Sequence, residues 1–120
     1  MTDQVTTIQG QYVSSVNEAY VAEALDVLGF TYQYQYQVGL TGVRGSQSID
    51  FLVYTVPKPT PLFVHGRYWH TGKMALEDEL KMAELTSKMR GHWAEPVIIW
   101  EEECESVEDA MNAVRKALLI

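Results

Sequence analysis

Apolar and polar positions along the chain change period several times, and each change marks an element. Val16, Tyr20, Ala24 and Val27 or Leu28 recur at helical spacing, which predicts a helix from about Val16 to Leu28. Ser15 precedes it with Glu18 three residues on, the form of a capping box, and Gly29 fits the left-handed position past the end. From Phe30 to Val38 the period becomes two. Tyr32, Tyr34 and Tyr36 alternate with Gln33, Gln35 and Gln37, predicting a strand with aromatics on one face and amides on the other. A glycine-rich turn, Gly39 to Ser46, leads to a second strand, Ile49 to Val56. The three prolines between Pro57 and Pro61 remove three backbone donors and predict a loop. Leu62-Phe63-Val64 then reads as a short central strand, and His65 to Lys73 as a loop. Ala75 to Arg90 has the period of a second helix closed by Gly91, and Pro96 to Trp100 reads as an apolar strand. Glu101 to Glu103 is an acidic loop. Ser106 and Asp109 repeat the capping pattern ahead of an amphipathic helix carrying Val107, Ala110, Met111, Val114, Ala117 and Leu118. Only Val5 to Tyr12 is ambiguous, with weak strand character and no defined face. The order is helix, three strands, helix, strand, helix: a mixed α/β domain.

Composition adds bounds. A chain of 120 residues suits one domain, since two would each be too small for a good core. No apolar run approaches the ~18 residues of a membrane span, and the first residues carry neither a basic region nor an apolar core of a secretory signal. The single cysteine, Cys104, excludes an internal disulfide framework and a cysteine-rich zinc site. A reducing, cytoplasmic compartment is expected. The net charge of -7 argues against nucleic acid as a partner, but the charge is uneven. Residues 1–74 hold five acids and four bases; residues 75–120 hold eleven acids and five bases. Between Val27 and Met74 one acid, Asp50, stands against Arg44, Lys58, Arg67 and Lys73. The middle of the chain can therefore meet phosphate although the C-terminal third is acidic.

Candidate chemistry concentrates after the third strand. Val64-His65-Gly66-Arg67-Tyr68-Trp69-His70 places two histidines five residues apart with an arginine and two aromatics between them, and loops at strand ends commonly carry sites. The competing reading is a surface loop with one ring packed inward. Asp50 opens an otherwise apolar strand, as a turn or edge residue also can. Glu18 is explained by its capping position, and Asp78 by the dipole of the second helix. Three glutamates ahead of Cys104 raise a thiol pKa and make it a poor nucleophile. The glycines from Gly39 to Gly45 lack the ending of a phosphate-binding loop, and no serine sits in a nucleophile elbow.

Three segments together carry a resemblance: Ser48 to Val53, Leu62 to His70, and Val97 to Glu101. They resemble the very short patch repair endonucleases of the PD-(D/E)XK restriction-endonuclease-like superfamily. There an aspartate opens a strand, the next strand ends in a His-Gly-x-aromatic-Trp-His element, and a later strand ends in Trp-Glu. Glu18 and Gly29 match the spacing of that family's helix glutamate and helix-ending glycine, so the resemblance covers about residues 15–103. By position, Asp50 resembles the metal-binding aspartate, and Val64 the residue that adds a backbone carbonyl to the metal. His70 resembles the catalytic histidine, His65 the second active-site histidine, and Tyr68 and Trp69 the aromatic pair that wedges into DNA. A related homing-endonuclease group has a Glu, Asp, x, His, Asp signature, which Glu18, Asp50, Val64, His70 and Asp78 are placed to fill. The family's structural zinc ligands are replaced here by Arg67, Gly72, Met74 and Glu102, so no structural zinc is expected. The usual superfamily lysine is missing, as in this histidine-using branch.

The resemblance implies a restriction-endonuclease-like fold, a central mixed sheet of about four to five strands flanked by helices. It also implies a Mg²⁺-dependent DNA endonuclease. Mg²⁺ suits an all-oxygen site, acidifies water and neutralises developing charge. A histidine can exchange a proton near neutral pH. Asp50 and the Val64 carbonyl hold the ion, His70 is the general base, His65 contacts phosphate or aids the leaving group, and Glu18 orients water. Arg44, Arg67, Tyr68, Trp69 and Lys73 are expected to contact double-stranded DNA. With no appended DNA-binding domain, recognition of a long site requires a homodimer or a larger complex. The rival readings are a homing-type or junction-type nuclease of the same fold, and a non-catalytic interaction domain that retains it.

Overall fold

The ambiguous stretch ahead of the first helix closes into a hairpin. In the computed structural model, which describes residues 7–13, 15–39, 46–66, 83, 84, 87 and 89–119, β1 (Thr7–Ile8) and β2 (Gln11–Tyr12) pair antiparallel. The turn residues Gln9 and Gly10 both have positive φ, 52° and 80°, the backbone whose twist matches two-residue hairpins. Ile8 is buried in the main core.

Helix α1 spans Val16–Val27. Ser15 Oγ accepts the N–H of Glu18 at 3.2 Å. At the other end Gly29 has φ 84°; its N–H reaches the Asp26 carbonyl at 3.1 Å, and that of Phe30 reaches the Leu25 carbonyl at 2.9 Å. These are the two bonds of a Schellman cap. The expected apolar stripe is displaced. Val16 and Val27 are exposed, while Glu18, Val21, Ala22 and Leu25 are buried together with Ala19 and Ala24. The inward row contains a carboxylate, so a pattern of apolar residues alone settles on a neighbouring row.

Among the described residues, four strands form the main sheet in the order β3 (Tyr32–Gly39), β4 (Ser46–Val53), β5 (Thr60–His65) and β6 (Val97–Trp100). The first three are antiparallel neighbours, and β6 lies parallel to β5. A parallel neighbour needs a crossover, here the chain between His65 and Val97. Ala83, Glu84 and Ser87 in it are helical; the rest of the expected helix from Ala75 lies outside the described residues up to Met89. The N–H groups of His92 and Trp93 both reach the Met89 carbonyl, and Gly91 has φ 88°, in keeping with a helix ending there. Helix α2 (Val107–Leu118) follows a 3-10 turn at Glu101–Glu103, and Ser106 Oγ accepts the N–H of Asp109 at 3.0 Å.

Strand boundaries differ from expectation. β4 begins at Ser46 and ends at Val53, not from Ile49 to Val56, so Asp50 stands inside the strand rather than at its start. The polar Ser46, Gln47 and Ser48 are strand because they pair with Gly39, Val38 and Gln37, a pairing that hydropathy does not reveal. Pro61, assigned to the loop, is buried inside β5. β6 pairs only from Leu62 onward, so the missing N–H of Pro61 falls before a second neighbour needs it. His65 ends β5 instead of opening a loop.

Alternate side chains of the sheet feed two cores. Tyr34, Phe51, Leu62 and Ile99 pack with Val21 and Leu25 of α1 and Ala110 and Val114 of α2. Val38, Ile49 and Phe63 pack with Tyr36, Met89, Trp93 and Ile98. Among the described residues, no helix is long and apolar enough to cross a membrane.

Candidate functional site

The two antiparallel ladders flanking β4 are both interrupted at Asp50. The β4–β5 register runs Val53 to Thr60, Leu52 to Pro61 and Phe51 to Leu62, then stops. Continued, it would set Ile49 opposite Val64, whose N–H would enter the ladder. That N–H instead donates to Asp50 Oδ2 at 2.8 Å. β5 itself continues beside β6 as far as His65 opposite Trp100, so β4 is the strand that leaves. A carboxylate stands in the resulting fork. On the other side, Tyr34 pairs with Phe51 and Tyr36 with Ile49, but Gln35 and Asp50 do not pair between them.

Gln35 has φ 53°, a left-handed backbone that costs a non-glycine residue about 1–2 kcal/mol. The turn it introduces explains why the aromatics of β3 do not share one face as expected. Tyr32 and Tyr34 pack against Phe51 at ring distances of 5.5 and 5.1 Å in the α1 core. Tyr36 meets Trp93 edge-on at 5.8 Å in the other core.

α1 brings Glu18 to this level from the first turn. Its carboxylate is buried, and Oε1 accepts the Tyr34 hydroxyl at 2.6 Å and Gln35 Nε2 at 3.2 Å. Gln35 Oε1 in turn accepts Ser48 Oγ at 2.6 Å, and Ser48 Oγ accepts Gln37 Nε2 at 3.2 Å. Burial raises the carboxyl pKa of Glu18 above its ordinary value; hydrogen bonds from Tyr34, Gln35 and Ser15 oppose the shift, and the charge of Glu101 adds to it. Burial likewise pushes Asp50 up to about 7, against the bond from Val64 and with help from the charge of Glu18. The first turn of α1 is tied to the end of β6 as well. Asn17 Nδ2 donates to the carbonyls of Glu101 at 3.2 Å and Cys104 at 3.0 Å.

The fork offers oxygen ligands. No described residue donates to Asp50 Oδ1, so this oxygen is not committed to a partner among them. The N–H and C=O of one strand residue point to the same side, which turns the Val64 carbonyl toward the fork with its N–H. This donor set of carboxylate and carbonyl suits a hard cation. Among the described residues, no three His, Cys, Asp or Glu side chains gather closely enough to hold a metal by themselves. A cation here would complete its shell with water or substrate oxygens.

His65 is half-buried, with its ring 5.7 Å from Phe63 and 5.9 Å, edge-on, from Trp100. Val64 packs toward the α1 core and Phe63 toward the other, so His65 leaves β5 on the face of Phe63. Cys104 is buried, and burial first, then Glu101, Glu103 and Glu105, lift its thiol to about 11, as expected of a poor nucleophile. Arg44, Arg67, Tyr68, Trp69, His70, Lys73 and Asp78 lie outside the described residues. The structure therefore joins Asp50, Glu18 and Val64, and adds Tyr34, Gln35 and Ser48, which sequence reasoning left out. The signal for Tyr34 and Gln35 was the Tyr-Gln alternation, which marked a strand and no chemistry; Ser48 opened one of the segments carrying the resemblance and was given no role. Comparison with protein-family models, with curated proteins and with solved structures finds no match to this chain.

Proposed function

We propose that the protein is a Mg²⁺-dependent DNA endonuclease with a restriction-endonuclease-like core, of the kind resembling the very short patch repair nicking enzymes. The observation that carries this reading is the carboxylate of Asp50 in the fork between β4 and β5, bonded to the Val64 N–H with Glu18 buried nearby. The strand order, with α1 ahead of it and a parallel last strand after a crossover, supports the fold assignment. So does the helix glutamate reaching the sheet where the strands part.

Asp50 Oδ1 and the Val64 carbonyl hold the ion, which when bound lowers the pKa of water and offsets charge on phosphate. Asp50 is kept in place by the Val64 N–H. Glu18, fixed through Oε1, orients water in the fork. His70 accepts the proton of the attacking water, a role matched to an imidazole near neutral pH, and His65 contacts phosphate or assists the leaving oxygen. Arg44, Arg67 and Lys73 meet the backbone of double-stranded DNA, while Tyr68 and Trp69 stack on or between bases.

Incubation with supercoiled plasmid and with matched, mismatched and branched duplexes, each with and without Mg²⁺, tests the proposal. The parent is expected to nick or cut at least one substrate only with the ion, and Asp50→Asn to cut none. Cleavage at full rate by Asp50→Asn refutes it. A second reading has the net charge of -7 in its favour: a non-catalytic interaction domain on the same fold. An intact parent that cuts no DNA form with Mg²⁺ or Mn²⁺ decides for that reading.

A further inference from the structure

We propose that Gln35 is a positioning residue for the cation site, and that its left-handed backbone is kept because it delivers the side-chain amide to Glu18. The inference rests on the reading of the fork as a cation site.

A strand residue with φ 53° is unfavourable unless something nearby requires it. Two features locate that requirement. The distortion falls at the one position where β3 does not pair with β4, opposite Asp50. The side chain of the distorted residue is also held at both ends: Nε2 donates to Glu18 Oε1 at 3.2 Å, and Oε1 accepts Ser48 Oγ at 2.6 Å. The donors run in one direction, from Gln37 to Ser48, from Ser48 to Gln35 and from Gln35 to Glu18. Such a chain orders an acceptor at its end. Tyr34 donates to the same oxygen from the buried side at 2.6 Å. The two bonds thus fix Oε1 from adjacent residues of one strand, which ordinary alternation would point to opposite faces. The left-handed residue removes that conflict. What remains of the carboxylate is held in a set orientation, close enough for its charge to act on Asp50, and Glu18 need not be ordered when a cation arrives.

The test uses the full chain and Mn²⁺ as probe, with calorimetric titration and thermal melting of the parent, Asp50→Asn, Gln35→Gly and Ser48→Ala. Mn²⁺ binding by the parent and its loss in Asp50→Asn establish the cation site. Absence of binding in the parent overturns that reading first and this inference with it. Given a working site, Gln35→Gly relieves the backbone and removes the amide, so Tm is expected to rise by a few degrees while Mn²⁺ affinity falls about tenfold or more, the usual loss when a group orienting a ligand is removed. Ser48→Ala is expected to weaken Mn²⁺ less, with Tm unchanged. Opposite signs for stability and affinity are not produced by a merely structural glutamine. Unchanged Mn²⁺ affinity in Gln35→Gly overturns the proposal, and so does an affinity that falls only in step with a fall in Tm, the result a merely structural glutamine gives.

Discussion

Replacing Asp50 by asparagine is expected to make the protein more stable at neutral and alkaline pH. Asn keeps the volume of the side chain and an oxygen that can accept the Val64 N–H, held by Asp50 at 2.8 Å. It removes the charge that burial and Glu18 disfavour. Moving a carboxyl from 3.8 to about 7 corresponds to a penalty of roughly 4 kcal/mol on the ionised native form. The sign follows from proton binding. Because the folded carboxyl is the weaker acid, the native state holds a proton that the unfolded chain has released between pH 4 and 7. The stabilisation from that proton is full below the unfolded pKa and is lost as pH rises through the folded one. The raised Glu18 pKa acts in the same direction. Asp50→Asn should therefore match the parent near pH 3 and exceed it by a growing margin up to pH 8. For 120 residues the full difference amounts to on the order of 15 °C in Tm. Thermal melts followed by circular dichroism at pH 3, 5, 6.5 and 8 in EDTA measure it. Adding Mg²⁺ at pH 8 should narrow the gap from the parent's side, since a ligand of the native state raises its Tm. An asparagine variant that melts at or below the parent at pH 8, or a difference that ignores pH, refutes the reasoning.

Ser15→Ala removes the acceptor for the Glu18 N–H and is expected to cost about 1 kcal/mol in a urea melt. His70→Ala should slow cleavage by roughly 10²–10⁴-fold and flatten the bend of the pH–rate curve near the histidine pKa; an unchanged rate at neutral pH removes His70 from the mechanism. Tyr68→Ala with Trp69→Ala should weaken binding to a mismatched duplex on the order of tenfold in a fluorescence-anisotropy titration, with Tm held. A collapse of Tm with normal residual DNA affinity would place both rings in the core.

The parts of the fold that announce themselves in sequence are those set by local chemistry. Ser15, Gly29 and Ser106 mark helix ends because caps are made within a few residues. Asp50 stood out as the one acid between Val27 and Met74, although a strand start also suits a turn or edge residue, and its role came from the resemblance. Its setting was not legible, since the length of β4 depends on pairing between polar residues of β3 and β4. Glu18 looked like the second half of a capping box; its N–H is capped by Ser15, but its carboxylate serves Tyr34 and Gln35 sixteen and seventeen positions away in the chain. The partners of Gln35 could not be read from an alternation that predicts its face and says nothing of a left-handed backbone.

The hairpin at the start of the described chain has a consequence for the behaviour of the protein in concentrated solution. Tyr32 to Gln37 is an uncharged stretch of alternating aromatics and amides without proline or glycine, the kind of segment that stacks into fibrils when its backbone is offered to copies of itself. Among the described strands it is an outer one of the main sheet. Gln9 closes part of that outer edge with a side chain that imitates a peptide group. Its Nε2 donates to the Tyr32 carbonyl at 2.6 Å and its Oε1 accepts the Tyr34 N–H at 2.8 Å, while Gln11 Nε2 reaches the Tyr34 carbonyl at 3.0 Å. A side-chain amide satisfies the edge without extending the ladder, so growth by strand addition has no template there. Strand addition at that edge then requires β1 and β2 to lift away, a local opening that also withdraws Ile8 from the core against α1.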